Sequence, residues 1–161
     1  MDKLILASKS KVRKDILSKN NINCLVEPSN VDEDPVKNSL INDGVTPEVI
    51  SKNLAELKAN KVSQKIVDHF VIGADSVIDL KGELISKPEN RSEALTILKK
   101  LNGQTHNLIS SVCISKNGSM VWNYTEKAIL TMKNHSEREL EDYLLKISDE
   151  ALYAYNVYQI E

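Results

Sequence analysis

Short apolar runs alternate along this chain with longer segments whose apolar residues recur at helical spacing. Residues 3–7, 24–26 and 70–78 form runs that are typical of strands, and the third is the clearest strand pattern in the sequence. Helical spacing follows the first run at once and ends at Asn20-Asn21. These patterns predict a strand, a helix and a second strand at the start of the chain, and a further strand near its middle.

Capping residues mark further helices. Thr46-Pro47-Glu48 combines a capping hydroxyl, a first-turn proline and an acid, and it predicts a helix that ends near Lys65. Ser92 is the predicted cap of the next helix, which we expect to end at Asn102-Gly103 because glycine favours the left-handed C-terminal position. The capping box 136–139 predicts a last helix.

Turn-rich and apolar segments complete the pattern. Residues 28–47 are polar, and we expect them to form a long loop that carries Val31-Asp32-Glu33. Hairpins are predicted at Lys81-Gly82 and Asn117-Gly118, and the apolar, tyrosine-rich residues 151–161 predict a final strand. Because helical crossovers and hairpins are mixed in this order, the sequence predicts an α/β fold with a mixed sheet.

Composition narrows the class of protein. The chain has 161 residues, 41% of them hydrophobic and 27% charged, so we expect a single domain, 1–161, with a core of its own. Its formal net charge of −2 disfavours general binding to nucleic acid phosphates. No apolar run is long enough to span a bilayer, and residues 1–20 lack the apolar stretch of a secretory signal. We therefore expect a cytoplasmic protein that binds neither nucleic acid nor a membrane.

The junction between the first strand and the first helix is the first candidate site. Ser8, Ser10 and Arg13 lie there, with Lys9 and Lys11 between them. Hydroxyls, backbone N–H groups and the positive end of a helix favour the binding of a phosphate. The alternative is a serine N-cap within a solvated basic turn, which is the commoner arrangement. Neither a P-loop nor a GxGxxG motif nor zinc-ligand spacing is present in the sequence.

Asp75 is the second candidate, because it lies inside an apolar strand directly after Gly73-Ala74. A carboxylate in a half-buried strand is unfavourable unless it meets a cation, a metal or a transferable proton. Glu33 is a second carboxylate that can pair with Asp75 to hold a divalent ion, since a few hard oxygen ligands suit Mg²⁺ with bound phosphates. The alternatives are a strand-end aspartate that accepts a turn hydrogen bond, and a solvated loop glutamate.

Isolated cations near segment ends form a third candidate set. Lys58 lies in the helix predicted from Thr46, Lys87 precedes Pro88, and His106 opens a strand. The proline keeps the backbone of Lys87 extended. Taken singly, each of these residues is more often a surface side chain than a ligand.

Seven segments in family order resemble the Maf family of nucleoside triphosphate pyrophosphatases. They are residues 4–10 (LILASKS) with Arg13, 31–33 (VDE), 54–59 (LAELKA), 72–77 (IGADSV), 82–88 (GELISKP), 101–106 (LNGQTH) and 158–161 (YQIE). Since they span the whole chain, the match is specific although no single motif is.

The resemblance implies a mixed, elongated and twisted sheet flanked by helices, with a central nucleotide-binding cleft, as in inosine triphosphatase-like folds. It implies hydrolysis of the α–β anhydride of a modified or pyrimidine nucleoside triphosphate to the monophosphate and pyrophosphate, as a house-cleaning activity. It also implies a divalent metal cofactor, Mg²⁺ or Mn²⁺, and often a homodimer.

The resemblance also implies roles for individual residues. Asp75 matches the group that accepts a proton from the attacking water, and Glu33 matches an acid of the metal and catalytic cluster, so both are expected metal ligands. Further residues are expected to bind the substrate around its triphosphate; they are Ser8, Ser10, Arg13, Lys58 and Lys87.

Three positions bear on base specificity. Pyrimidine-type members carry Arg, Thr and Gln at the positions that match Val12, Ser76 and Glu161, and the 7-methyl-GTP type carries Trp, Gln and Glu. Ser76 keeps the hydroxyl of the first type and Glu161 the acid of the second, so the base preference stays open. Lys11-Val12 replaces the Pro-Arg of the typical motif, which changes a phosphate or base contact. Members of the family continue past the match to Glu161, so we expect a C-terminal segment to be missing.

Two other functions stay open at this point. A catalytically weak nucleotide-binding regulator of cell division would bind nucleotide tightly without metal-dependent hydrolysis. A different metal-assisted phosphohydrolase would release orthophosphate instead of pyrophosphate.

Overall fold

The computed structural model of the protein describes residues 3–158. The strands in this part of the chain are β1 (Leu4–Leu6), β2 (Cys24–Val26), β3 (Phe70–Leu80), β4 (Glu83–Ile85), β5 (Thr105–Lys116) and β6 (Ser119–Thr131). The helices are α1 (Lys11–Lys19), α2 (Glu33–Asn42), α3 (Pro47–Lys65), α4 (Arg91–Leu101), α5 (Glu137–Lys146) and α6 (Asp149–Tyr155).

The strands form a mixed sheet whose main path is β2-β1-β3-β5-β6, with β4 paired to β3. β1 is parallel to both of its neighbours, so that Leu6 lies opposite Val26 on one side and Ile72 on the other. β4 returns antiparallel to β3, with Ile78 opposite Ile85. The helices flank this sheet, and the predicted α/β fold with a mixed sheet is confirmed.

The chain divides into two compact units, each with a buried apolar core. The first unit comprises the residues up to Ser76 together with Ile109–Lys127, and the second comprises Val77–Leu108 together with the residues from Ala128 onward. In the second unit the apolar faces of α4 and α5 pack with residues of β3 and β4. The prediction of one domain over 1–161 stays a prediction.

Gly73 allows α3 of the first unit to approach β3 closely. A Cβ atom at this position would lie 2.2 Å from the carbonyl oxygen of Ala55 and 2.7 Å from the backbone nitrogen of Ala59. Both of these atoms belong to the backbone of α3, so a side chain at residue 73 would push the helix away from the strand. Glycine therefore sets the spacing between α3 and the part of β3 that carries Asp75.

Three predictions of local structure are wrong. Residues 28–47 contain α2 instead of one long loop, because Asp32 takes the N-cap position and two acids in the first turn interact favourably with the helix dipole. Residues 149–155 are helical and not a strand, since Ser148 caps α6 by accepting the backbone N–H of Ala151. The cap of α4 is Asn90, whose side chain accepts the N–H of Glu93 at 2.8 Å, and not Ser92.

Other caps and turns are confirmed. Thr46 and Ser136 are the N-caps of α3 and α5, and Ser136 forms the predicted capping box with Glu139. Gly103 follows α4 with a φ of +67°, which favours glycine. No helix within residues 3–158 is long and apolar enough to cross a bilayer.

Candidate active site

The turn between β1 and α1 is built by two serines and an arginine. Ser10 is the N-cap of α1 and accepts the backbone N–H of Arg13 at 3.3 Å. The hydroxyl of buried Ser8 accepts both the backbone N–H of Ser10 and Nη1–H of Arg13, each at 3.2 Å. The N-cap alternative is therefore correct for Ser10, but the turn also brings the guanidinium of Arg13 back to Ser8.

Arg13 and Lys58 meet at the backbone of β3. The carbonyl oxygen of Ala74 accepts from Nη1 of Arg13 at 2.9 Å and from Nζ of Lys58 at 3.3 Å. Lys58 belongs to the buried face of α3 and is itself buried, 6% exposed, in contrast to the surface position that is usual for lysine. Two cations from two helices thus lie beside Ala74, the residue that precedes Asp75.

Lys58 also brings together the two predicted carboxylates. Its Nζ atom lies 2.9 Å from Oδ1 of Asp75 and 2.8 Å from Oε1 of Glu33. Glu33 reaches it from the first turn of α2, the helix that the sequence pattern does not predict. The structure thus joins Glu33, Lys58 and Asp75 in one cluster, although they come from three separate elements.

The electrostatics of Asp75 are suited to proton transfer. Burial raises the pKa of its carboxyl above the ordinary aspartate range, against the opposing charge and hydrogen bond of Lys58. The charge of Glu33 raises this pKa further, and the charge of Arg13 lowers it. The Oδ2 atom is buried and has no hydrogen-bond partner within residues 3–158. A carboxylate with one oxygen fixed and one oxygen unbonded can act as a base toward a bound molecule.

Glu33 and Asp75 also fit a divalent cation. Both present hard carboxylate oxygens within hydrogen-bond distance of the same Nζ atom, so a cation near that position is within reach of both. The described chain, residues 3–158, holds no cluster of three or more His, Cys, Asp and Glu side chains spaced for a metal ion. A cation here would take its remaining ligands from substrate phosphates and water, as Mg²⁺ commonly does.

Comparison with known proteins decides the family. The family model described as "Maf-like protein" matches residues 3–161. The chain belongs to the Maf family. It is 70% identical over 158 residues to a "Nucleoside triphosphate pyrophosphatase" of Pelagibacter ubique, a match that covers 98% of this chain and 81% of that protein. It is 35% identical over 159 residues to a "7-methyl-GTP pyrophosphatase" of Brucella abortus, covering 99% of this chain and 80% of that protein.

Among solved structures, a HAM1 protein from Coxiella burnetii matches 80% of this chain and 71% of that chain, with a TM-score of 0.46 and 10% identity. A likeness at this level carries no argument about function. The Maf assignment therefore depends on the family match and on the sequence relatives.

Most of the residues expected from the Maf resemblance meet in the first unit. Ser8, Arg13 and Lys58 are linked by the hydrogen bonds described above to one another or to the segment that carries Asp75. Lys87 lies two residues after the end of β4 in the second unit and is exposed, ahead of the buried Pro88. Its role around the triphosphate stays a prediction.

Two of the three Maf specificity positions lie within the described residues. Val12 is half-buried in α1. Ser76 is exposed, and its hydroxyl lies 2.9 Å from that of Ser110 on β5. Glu161 lies outside the described residues. The roles of these residues in base specificity stay predictions.

Sequence reasoning missed Ser51. Its side chain is fully buried on α3, and its hydroxyl donates to the backbone carbonyl of Asp75 at 3.2 Å. The available signal was a serine placed between Ile50 and Leu54 on the apolar face of the predicted helix. A polar residue at such a position needs a hydrogen-bond partner, and here that partner is the candidate catalytic residue.

The environment of His106 does not match that of an exposed cation. It is buried in the second unit, and its Nε2 atom lies 2.7 Å from the hydroxyl of Tyr158. Burial lowers the pKa of its imidazole, which favours the neutral form. His106 is thus better described as a buried neutral histidine than as a phosphate-binding cation.

Proposed function

We propose that this Maf-family chain hydrolyses the α–β anhydride of a nucleoside triphosphate, releasing the nucleoside monophosphate and pyrophosphate. The observation that carries the proposal is the contact of the buried Lys58 with Asp75 and Glu33, in a chain whose relatives are named as nucleotide pyrophosphatases. The alternatives are a nucleotide-binding regulator of cell division and a phosphohydrolase that releases orthophosphate, and both are outcomes of the test below.

The turn from Ser8 to Arg13 is the proposed phosphate-binding element. Hydroxyls and backbone N–H groups at the first turn of α1 provide donors, and the helix dipole favours negative charge there. The fixed charges of Arg13 and Lys58 lie on the same side of the site, since both donate to the Ala74 carbonyl. Positive charge at this place stabilises the negative charge that builds up on the departing pyrophosphate.

Asp75 is the proposed base. The oxygen of a water molecule attacks the α-phosphorus, the bond between that phosphorus and the bridging oxygen breaks, and its electron pair leaves with pyrophosphate. The proton of the water passes to Oδ2 of Asp75, the carboxylate oxygen without a hydrogen-bond partner among the described residues. A buried carboxyl with a raised pKa accepts this proton more readily than an ordinary surface aspartate does.

Glu33 and Asp75 would hold the divalent cation, Mg²⁺ or Mn²⁺. When bound, the cation supplies charge neutralisation on the phosphate oxygens. In its absence Lys58 keeps the two carboxylates together, which lowers their mutual repulsion. The cytoplasmic location and the homodimer expected from the sequence stay predictions, and size-exclusion chromatography tests the second.

The experiment measures pyrophosphate and orthophosphate release with Mg²⁺ over a panel of ordinary and modified nucleoside triphosphates, including dTTP, UTP and 7-methyl-GTP. The parent chain is compared with Asp75→Asn and with the control Asp79→Asn. Asp79 is another carboxylate of β3, and its Oδ1 accepts a turn N–H from Gly82, which an asparagine oxygen also can. We expect pyrophosphate release from the parent and the control, and none above background from Asp75→Asn.

Three results would contradict the proposal. Orthophosphate as the first product would favour the other phosphohydrolase. Tight nucleotide binding with no metal-dependent hydrolysis would favour the regulator. Unchanged turnover in Asp75→Asn would remove the proposed base. The substrate with the highest kcat/KM in the panel then identifies the base preference that accompanies Val12, Ser76 and Glu161.

A further inference from the structure

The hydrogen-bond ladder between β1 and β3 ends shortly before Asp75. Its last bond joins the backbone nitrogen of Ala7 to the carbonyl oxygen of Ile72 at 2.8 Å, and the chain then leaves the sheet for α1. Side chains bind two of the carbonyls that follow. Ala74 accepts from the two cations described above, and Asp75 accepts from the hydroxyl of Ser51. Side chains therefore help to hold this stretch of β3 where β1 has ended.

Helix α3 holds Asp75 at two separate points. Lys58 binds the carboxylate at 2.9 Å, and Ser51 donates to the main-chain carbonyl at 3.2 Å. The two residues are seven positions apart, about two helical turns, so they lie on the same face of α3. The close approach of α3 to Gly73 brings both donors within reach of the strand. A residue that is held by both main chain and side chain has little freedom to rotate.

We propose that Ser51 is a positioning residue for the reaction: its hydroxyl fixes the main chain of Asp75 and thereby the direction in which the carboxylate faces the attacking water. This inference rests on the proposed function. Ser51 is fully buried, so its effect on the reaction passes through Asp75 and not through contact with the substrate. Small displacements of a catalytic group lower the rate strongly, because the reacting atoms need close alignment.

Ser63 provides a matched control. It is also fully buried on α3, but its hydroxyl donates to the carbonyl of Asn60 in the same helix and accepts the backbone N–H of Gly118. Loss of this hydroxyl removes two partly buried hydrogen bonds of α3 without touching Asp75. A purely structural effect is expected to be similar at both serines, whereas a positioning effect is expected only at Ser51.

The test compares Ser51→Thr with Ser51→Val, which have the same shape and differ in the hydroxyl. Ser51→Ala is included because it adds no atom to the buried site, and Ser63→Val is the control. Two quantities are measured: steady-state pyrophosphate release, and the ¹³C chemical shift of the Asp75 carbonyl in substrate-free protein. That shift moves to lower field when a hydroxyl donates to the carbonyl, and it needs no activity.

We expect Ser51→Thr to keep the carbonyl shift and most of kcat. Ser51→Val and Ser51→Ala are expected to lose the shift and to lower kcat about tenfold, with KM changed less than about twofold. Ser63→Val is expected to keep both readouts even where it lowers the unfolding temperature.

Equal carbonyl shifts in Ser51→Thr and Ser51→Val would overturn the hydrogen bond, and a lost shift with unchanged kcat would overturn the positioning role. A parent chain that releases no pyrophosphate would overturn the proposed function. In that case the carbonyl shift alone decides whether Ser51 holds the backbone of Asp75, so the two failures are distinguishable.

Discussion

Lys58 and Asp75 form an ion pair in which each side chain is 8% exposed, with Nζ and Oδ1 separated by 2.9 Å. Burial removes both charges from water, and this loss of solvation offsets much of their attraction, so such a pair contributes little net stability. Removal of one partner is a different matter, since it leaves the other charge buried and uncompensated. The pair is therefore better explained by the chemistry of the site than by a contribution to the stability of the fold.

Lys58→Met is expected to lower the free energy of unfolding by about 3 kcal/mol and to abolish turnover, because Asp75 and Glu33 then face each other without the lysine. Urea unfolding measures the first effect. Lys52→Met, at an exposed position of the same helix, is the control and is expected to change stability by less than about 0.5 kcal/mol. The double variant Lys58→Met/Asp75→Asn is expected to regain part of the loss; a double variant less stable than Lys58→Met would contradict this explanation.

His106 is expected to make stability depend on pH independently of the candidate site. Burial lowers the pKa of its imidazole in the folded protein below the ordinary value of 6.5. Between these two pKa values the unfolded chain binds more protons than the folded chain. The stability that the neutral histidine contributes is thus complete above pH 6.5 and is lost as the pH falls from that value through the folded pKa.

The measurement is the thermal unfolding midpoint between about pH 7.5 and pH 4.5. We expect His106→Gln to flatten the fall of the midpoint on acidification. His69→Gln, at a partly exposed turn outside the apolar cores, is the control for replacement of a histidine elsewhere in the chain. If His106→Gln and the parent fell in parallel, another group would be responsible for the pH dependence.

Gly73→Ala is expected to lower the free energy of unfolding by about 3 kcal/mol, because the added methyl group meets backbone atoms of α3 that cannot move independently. Gly82→Ala is a useful comparison. Gly82 has a φ of +91°, and a methyl group added there would meet no atom within 4 Å. The free energy of unfolding of Gly82→Ala is therefore expected to fall only by the backbone strain, about 1–2 kcal/mol. Chemical unfolding of both variants measures the difference, and a Gly73→Ala variant no less stable than Gly82→Ala would show that α3 is not tightly packed on β3.

Local sequence patterns correctly predict the elements that are defined by an apolar run or by a turn dipeptide. The apolar run 70–78 lies in β3. The turn at Lys81-Gly82 connects β3 to β4, and the turn at Asn117-Gly118 connects β5 to β6. α2 was not predicted because its stretch is polar and rich in turn formers, and no residue of that helix is buried. A helix without a buried face gives no apolar period to read.

The candidate site was predictable as a list of residue types but not as an arrangement. Asp75 is predictable because a carboxylate inside an apolar strand needs a partner, and Lys58 is predictable only as an isolated cation, since the sequence does not specify the contact between them. The bridging of Glu33 by the same lysine depends on α2, so an incorrect local prediction concealed it. Ser51 was missed because a buried serine is often only a tolerated small residue, and its partner is a main-chain atom that the sequence does not identify.

Glu33 and Asp34 together provide a test of the proposed metal ligand. Both acids lie in the first turn of α2, so each interacts with the same helix dipole, but Asp34 is exposed whereas Glu33 contacts Lys58. Glu33→Gln is expected to raise the Mg²⁺ concentration for half-maximal pyrophosphate release about tenfold or more, because an amide oxygen binds a hard cation more weakly than a carboxylate does. Asp34→Asn is expected to leave that concentration within about twofold of the parent value, since one exposed charge is largely screened.

Titration of Mn²⁺ binding in the presence of a non-hydrolysable nucleotide tests, without turnover, whether Glu33→Gln weakens cation binding more than Asp34→Asn does. Equal shifts in the two variants would assign the effect to the general charge of the α2 terminus, and no shift in Glu33→Gln would remove Glu33 from the metal site.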